Sequence, residues 1–188
     1  TLTVTAVNDA PVMAAIDDQV IDEDNSLTLT LSASDVDGDA LTYSAVDGGA
    51  TVDINGTTLT LTPALNYNGS GTVTVTVSDG NLTGSTDFTL TVNPVNDAPD
   101  LGVLSDANVA EDNTFTLALS ASDVDGDALT FLASVDGNGS ASVSGTTLSV
   151  TPDLNYNGDI EVTVTASDGQ ASGSGSFTLT VTAVNDAP

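Results

Sequence analysis

The chain of 188 residues carries 27 aspartates and glutamates and no lysine, arginine or histidine, which gives a formal net charge of −27 at pH 7. Nucleic acid and anionic membrane surfaces are therefore excluded as partners, because both are bound through basic residues. A hydrophobic content of 39% argues for a packed core over disorder, and the sequence has neither cysteines for disulfides nor an apolar run long enough for membrane insertion.

The chain consists of two near-copies of one module. The sequence Val-Asn-Asp-Ala-Pro begins at Val7, Val95 and Val184, and Asp-Val-Asp-Gly-Asp begins at Asp35 and Asp123, a period of 88 residues (123 − 35). This length suits an independent small domain better than a solenoid repeat. We predict that residues 1–7 are the last-strand remnant of a preceding repeat, 8–95 form repeat 1, 96–184 form repeat 2, and 185–188 begin the next linker.

Apolar residues alternate with threonine and serine along each copy, which is the period of two expected of half-buried strands. After the stretch 12–21, the inward-facing rows of repeat 1 are predicted in chain order at Leu27, Leu29, Leu31 and Ala33; Leu41, Tyr43 and Ala45; 52–54; Leu59 and Leu61; Val73, Val75 and Val77; and Phe88, Leu90 and Val92. About seven strands per copy predict an all-β fold of two tandem immunoglobulin-like β-sandwiches joined end to end.

Turn residues agree with this assignment. Asn55-Gly56, between two short strands, predicts a two-residue hairpin. Asn68-Gly69 and Asn157-Gly158 precede a later strand, and their offset of 89 (157 − 68) places one extra residue in the loop 136–140 of repeat 2, which replaces 47–49. Surface loops tolerate such insertions, so the strands on either side are expected to correspond.

Clusters of carboxylate and amide oxygens suggest a metal site without nitrogen or sulfur ligands. Such hard ligands select calcium or magnesium, and calcium fits better because magnesium requires a tight octahedron and retains its waters. The acidic segment 35–39 is not an EF-hand, because Gly38 falls at its fourth position and no glutamate closes the loop. Aspartates before glycine are, taken singly, more often turn formers than ligands, which applies to Asp47, Asp79, Asp136 and Asp168.

With these motifs, the whole chain resembles the cadherin-like repeats of large bacterial surface and secreted proteins, including adhesins that carry arrays of such modules. In that family, calcium lies at the junction of successive domains, held by an early glutamate, an L-D-R-E segment, the linker, and the D-x-D and A-x-D segments of the next domain. The matching positions here are Glu23, the segment 65–68, Asn96-Asp97, Asp123 with Asp125, and Asp168. The resemblance implies seven-stranded sandwiches of the immunoglobulin/cadherin type.

The resemblance also implies Ca²⁺ as the cofactor, with ligands at three junctions. The central junction would use Glu23, Asn68, Asn96, Asp97, Asp123, Asp125 and Asp168; the preceding one Asn8, Asp9, Asp35, Asp37 and Asp79; and the following one Glu111, Asn185 and Asp186. The outer sets are incomplete, so they are expected to bind more weakly. Asparagines replace two carboxylates of the L-D-R-E segment, and the linker has lost acids, which implies few ions and weak affinity, about 10⁻⁴ to 10⁻³ M.

These features predict calcium-stiffened extender modules of an extracellular bacterial adhesin, secreted or held at the cell surface. The expected partners are neighbouring repeats of the same chain, with glycans or surface proteins bound through other domains, and the chain is expected to be a monomer. Enzymatic activity is not expected, because the sequence has no histidine, cysteine or lysine to act as base or nucleophile.

Other functions fit the sequence less well. The main alternative is a recognition module that binds carbohydrate or protein in a calcium-dependent way, but the loops 47–49 and 136–140 differ between the copies, which favours a spacer. The threonine rows resemble an ice-binding array, yet they are also ordinary solvent-facing strand residues. Tyr67 and Tyr156 suggest sugar stacking, although tyrosines before such turns more often lie at the edge of a core.

Overall fold

The computed structural model describes residues 1–47 and 49–185 and forms two compact units, Thr1–Val95 and Asn96–Pro188. The regular elements of the described residues are all β-strands, which confirms the all-β prediction. No helix in this described part of the chain is long and apolar enough to cross a membrane.

Repeat 1 is a sandwich of a four-stranded and a three-stranded sheet. Its strands are β1 (Val12–Met13), β2 (Gln19–Asp22), β3 (Leu27–Thr30), β4 (Ala33–Ser34), β5 (Thr42–Asp47), β6 (Ala50–Asn55), β7 (Thr58–Pro63), β8 (Gly69–Ser78) and β9 (Thr83–Asn93). The sheets have the orders β2-β9-β8-β5 and β3-β7-β6, β1 pairs with β4, and β2 runs parallel to β9. Because β1 with β2 and β3 with β4 are halves of two broken strands, the nine segments correspond to the seven strands predicted.

Repeat 2 has the same topology. Its strands are β10 (Asp100–Leu101), β11 (Ala107–Ala110), β12 (Phe115–Ala118), β13 (Ala121–Ser122), β14 (Thr130–Val135), β15 (Gly139–Ser144), β16 (Thr147–Pro152), β17 (Gly158–Ser167) and β18 (Ser172–Thr182). The sheet orders are β11-β18-β17-β14 and β12-β16-β15, with β10 paired to β13. The prediction of two tandem sandwiches is therefore confirmed.

Each core is formed by the inward-facing rows of its two sheets. In repeat 1 the side chains of Leu59, Leu61 and Val75 are 0% exposed, as the alternating pattern predicts. In repeat 2 the tilted rings of Phe115 and Phe177 add an aromatic contact, with centroids 5.9 Å apart. Burial of these rows supplies the main stabilising free energy of each sandwich.

The predicted hairpin is present, but its loop lies one residue later than Asn55-Gly56. Asn55 is the last residue of β6 and pairs with Thr58 of β7, so the two-residue loop is Gly56-Thr57, and Gly56 adopts a φ of +62°, the left-handed region that favours glycine. Two residues separate β5 from β6, whereas three, 136–138, separate β14 from β15. The extra residue of repeat 2 therefore lies in the predicted loop.

One sequence of eleven residues occurs twice and has two different environments. Residues 1–11 are identical to 178–188. Leu179 and Val181 lie in β18, between β11 and β17, and are 0% and 3% exposed. Leu2 and Val4 belong to no strand of the described residues and are 91% and 84% exposed. The sequence forms a buried strand only where neighbouring strands cover it.

Candidate functional site

The acidic loop of repeat 2, residues 123–127, folds around Asp123. Its Oδ1 accepts hydrogen bonds from the backbone N–H groups of Asp125 (3.0 Å) and Asp127 (3.4 Å), and Gly126 turns the chain with a φ of +80°. One carboxylate oxygen from each of the three aspartates lies within 4.8 Å of the other two. The loop therefore concentrates three negative charges that repel one another unless a cation binds.

The acidic loop of repeat 1, residues 35–39, has the same construction. The Oδ1 atom of Asp35 accepts N–H bonds from Asp37 (2.9 Å), Gly38 (3.0 Å) and Asp39 (3.3 Å). In both loops the second oxygen of the first aspartate, Oδ2 of Asp35 or Asp123, is buried without a hydrogen-bond partner among the described residues. A buried acceptor without a partner is costly, and an all-oxygen donor set of this kind fits Ca²⁺.

The segment that enters each repeat is fastened to this acidic loop. In repeat 2 the side-chain amide of Asn96 donates to Asp168 Oδ2 (2.9 Å), and the Asp97 N–H donates to Asp125 Oδ2 (2.8 Å). The Oδ1 atom of Asn96 also accepts from the side chain of Gln170 (2.9 Å). The structure thus brings together the predicted ligands of repeat 2: Asn96, Asp97, Asp123, Asp125 and Asp168.

Repeat 1 repeats these contacts at its own entry. The side chain of Asn8 donates to Asp79 Oδ2 (2.8 Å), and the Asp9 N–H donates to Asp37 Oδ2 (2.8 Å). With Asp35 in the loop, all five ligands predicted for this end of repeat 1 lie together. The two repeats therefore carry the same arrangement of five residues, here called the entry cluster. The aspartate of the last turn lies one residue further from the acidic loop in repeat 2 (168 − 125 against 79 − 37), because of the insertion between β14 and β15.

The aspartate of the β17–β18 turn is held in its charged form by hydrogen bonds. The N–H of Ala171, followed by the Asn96 side chain and the N–H of Gln170, lowers the pKa of Asp168 below its usual range. In repeat 1 the N–H of Leu82, with the Asn8 side chain and a further turn N–H, lowers the pKa of Asp79 in the same way. Each carboxylate is therefore ready to accept a cation at neutral pH.

Replacement of Asp168 by asparagine should give a pH-dependent loss of stability, measured by denaturant unfolding in a chelator. A lowered pKa in the folded state stabilises the fold above the unfolded value of about 3.9, and this contribution disappears as pH falls through the lower folded value. We therefore expect the stability difference between wild type and Asp168→Asn at pH 7 to shrink below about pH 4. Asp79→Asn should behave alike, and a difference that persists at low pH would contradict the assignment.

A buried glutamate lies at the other end of each sandwich. Glu23 is 3% exposed, and its Oε1 accepts the N–H of Val95 at 2.5 Å. Glu111 is 6% exposed and accepts the N–H of Val184 at 2.6 Å. Because the eleven residues of β9 span about 35 Å, Glu23 at the end of β9 lies far from the entry cluster of its own repeat.

Other predicted residues have different positions. Asn68 is exposed in the turn before β8, and no hydrogen bond within residues 1–47 and 49–185 joins it to Glu23. Asn66, two residues earlier, has a φ of +55° and donates its backbone N–H to Asp24 Oδ1 (2.9 Å), so this asparagine stabilises the turn. Asp186 lies outside the described residues. Asp127, the third acid of Asp-Val-Asp-Gly-Asp, is not among the ligands predicted above, yet its carboxylate lies with those of Asp123 and Asp125.

Comparison with known proteins agrees with this fold. The bacterial Ig domain family matches residues 8–93 and 96–182. Chitinase A of Pseudoalteromonas piscicida is 38% identical over 108 residues, which cover 55% of this chain and 13% of that protein. A crystal structure of Drosophila N-cadherin EC1-4 has a TM-score of 0.55 at 22% identity, over 95% of this chain and 50% of that one. A crystal structure of human protocadherin-24 EC1-2 has a TM-score of 0.55 at 19% identity, over 96% of this chain and 100% of that one.

These matches differ in what they show. The likeness to cadherin ectodomains is below 25% identity and shows the fold alone, which is the cadherin-like sandwich predicted. The chain spans only 13% of the length of the chitinase. The family match, in contrast, covers nearly the whole of both repeats. The chain therefore belongs to the bacterial Ig domain family, of which it carries two tandem copies.

Proposed function

We propose that the two repeats are non-catalytic extender modules of a large bacterial surface or secreted adhesin and that Ca²⁺ stiffens the linker between them. The observation that carries this proposal is the burial of carboxylate oxygens in a chain without basic side chains: Glu23 is 3% exposed, and the Oδ2 atom of Asp123 is buried without a partner among the described residues. A buried carboxylate is stable only when paired, hydrogen-bonded or bound to a metal. Because the chain has no basic side chain, a cation that compensates these carboxylates would come from solution.

The ligands at the central junction would come from both repeats. Repeat 2 would contribute its entry cluster, and repeat 1 would contribute Glu23, with Asn68 as a weaker candidate. The N–H that Glu23 accepts belongs to Val95, and Asn96 follows Val95 directly in the chain. When bound, Ca²⁺ would neutralise these carboxylates. Asp168 and Asp125 are hydrogen-bonded to Asn96 and Asp97, and Glu23 is hydrogen-bonded to Val95, so each of these carboxylates contacts the linker or the residue before it.

The same ligand types would extend the array in both directions. The entry cluster of repeat 1, with Asn8, Asp9 and Asp35, would join a preceding repeat, and Glu111 with Asp186 would join a following one. Residues 1–7 would then be the last strand of the preceding repeat, because the identical residues 178–184 include the buried end of β18. In this proposal the partners are neighbouring repeats, the chain is a monomer, and the protein is extracellular.

Affinity should be weak because several ligands are amides and not carboxylates. Extracellular calcium modules bind with a dissociation constant of about 10⁻⁴ to 10⁻³ M, a range in which external calcium is abundant. The match to a chitinase, in which the similar segment is a small part of a larger protein, is consistent with modules that space other domains. No catalytic role is assigned to the repeats.

Small-angle X-ray scattering with Ca²⁺ and with chelator tests this function. We expect a longer and stiffer particle in Ca²⁺ than in chelator. Asp123→Asn should abolish most of this difference, because it alters the central junction, whereas Asp35→Asn changes the equivalent residue of repeat 1 and should leave the difference intact. Identical scattering curves with and without Ca²⁺, or equal effects of the two variants, would contradict the proposal.

A further inference from the structure

Repeat 1 contains a cavity that repeat 2 fills with side chains. The cavity has a volume of about 210 Å³ and opens at the end of the sandwich where β5 ends and β8 begins. Its walls come from both sheets: Ala50 and Pro63 from the smaller sheet, and Gly71, Leu90 and Val92 from the larger one. The cavity is thus a largely apolar slot that reaches into the core, with Asp47, Ser70 and Tyr67 as the polar residues of its lining.

The first cause of the cavity is Gly71 of β8. Gly71 pairs with Leu90 in the register of β8 and β9, and Ile160 pairs with Leu179 at the equivalent position of repeat 2. The side chain of Ile160 is 0% exposed and occupies the core. A Cβ atom on Gly71 would have only the Asp47 carboxylate within 4 Å, at 3.4 Å. Repeat 1 therefore has room for a side chain that its sequence does not provide.

The second cause is an aspartate at an inward-facing position. Asp47 pairs with the buried Val73, so its side chain lies on the core face of β5. At the equivalent position of repeat 2, Val135 pairs with Val162 and packs against the core. Two core side chains of repeat 2, a valine and an isoleucine, are thus replaced in repeat 1 by a carboxylate and an empty space.

The carboxylate of Asp47 borders the empty space. Its Oδ2 accepts the N–H of Ala50 (2.8 Å), while its Oδ1 is the atom nearest the position that a Cβ on Gly71 would occupy. The ring of Tyr67 forms a further wall, and its hydroxyl lies beside Gly69 at the mouth. The chain has no lysine, arginine or histidine to neutralise this inward-facing charge. An aromatic face and a carboxylate together attract a cation.

We propose that this cavity binds a small organic amine, with its apolar part in the slot and its ammonium group at Asp47. An apolar cavity of about 150 Å³ holds one benzene ring, so 210 Å³ suits a ligand of similar size with a short chain. One carboxylate and the hydroxyls of Ser70 and Tyr67 provide too few side-chain ligands for Ca²⁺, which takes six to eight oxygens. Charge complementarity therefore selects an organic cation over a metal ion or an anion.

The probe is 2-phenylethylammonium, titrated into the full chain and followed by NMR, with phenylacetate as the anionic control. We expect saturable shifts of repeat 1 signals, with a dissociation constant of about 1 mM, and no binding of phenylacetate. Asp47→Asn should weaken binding of the amine about threefold, and added salt should weaken it as well. Equal binding of the anion, or no saturable shifts in repeat 1, would overturn the proposal.

Gly71→Ile gives repeat 1 the side chain that repeat 2 has and should weaken binding at least about tenfold while the fold is kept. Ile160→Val in repeat 2 is the matched control and should leave binding unchanged. If Gly71→Ile fails to fold, Gly71→Val tests the same filling with less bulk. If a folded Gly71→Ile or Gly71→Val variant binds the amine as well as wild type does, the assignment of the site to this cavity is wrong. Binding of a lysine peptide but not of the free amine would overturn the assignment to a small molecule.

Discussion

Gly173→Ala is expected to destabilise repeat 2 by about 3 kcal/mol, near the upper end of the range for overpacking in a tight core. Gly173 lies at the start of β18, and a methyl group there would overlap the carbonyl oxygen of Pro99. Backbone atoms do not move aside as a flexible side chain does. The variant must therefore displace the entry segment before β10, which carries Asn96 and Asp97.

The matched control is Gly175→Ala, two residues along the same strand and on the same face. A methyl group at Gly175 would meet only side-chain atoms of Leu101 and Leu104, at 3.4 and 3.5 Å, which are ordinary contacts. Thermal unfolding should show a loss of more than about 10 °C for Gly173→Ala and little change for Gly175→Ala. Gly84→Ala should reproduce the loss in repeat 1, because its methyl group would overlap the Pro11 carbonyl. Equal midpoints for the two β18 variants would contradict this account.

The sequence predicted the strands well because their inward rows are continuous. Alternation places Leu59, Leu61 and Val75 on one face, and the structure buries all three. Alternation does not show how a strand is divided between two sheets, so the breaks between β1 and β2 and between β3 and β4 were not predicted. It also cannot separate residues 1–4 from the identical 178–181, because neighbouring strands decide which copy is buried.

The candidate site was predicted in part. The spacing of Asp123 and Asp125 puts both on one short loop, and the structure brings them together with Asp168. The role of Asp47 was not predicted, because Asp-Gly is typical of turns and only the strand register shows that this aspartate faces the core. The role of Asn66 in its turn could not be predicted from the sequence either, because its left-handed backbone conformation is set by the fold.

Ca²⁺ at a hundredfold excess over its dissociation constant should stabilise the chain by about 2.7 kcal/mol per site, and Glu23→Gln should remove most of this gain. The reason is that Glu23 is the buried carboxylate proposed for the central junction, for which this sequence supplies ligands from both repeats. Glu111→Gln is the matched control. Glu111 is similarly buried and also accepts a backbone N–H, but its proposed partners lie in a following repeat.

In chelator the two variants should behave alike and should be at least as stable as wild type. Glutamine can still accept the N–H of Val95 or Val184, while the cost of burying an uncompensated charge disappears. In Ca²⁺ they should diverge: thermal midpoints of wild type and Glu111→Gln should rise by more than about 10 °C, and that of Glu23→Gln should rise much less. Equal calcium responses of the two variants would show that Glu23 is no ligand. Its burial would then be a feature of the turn alone, stabilised by the hydrogen bond to Val95.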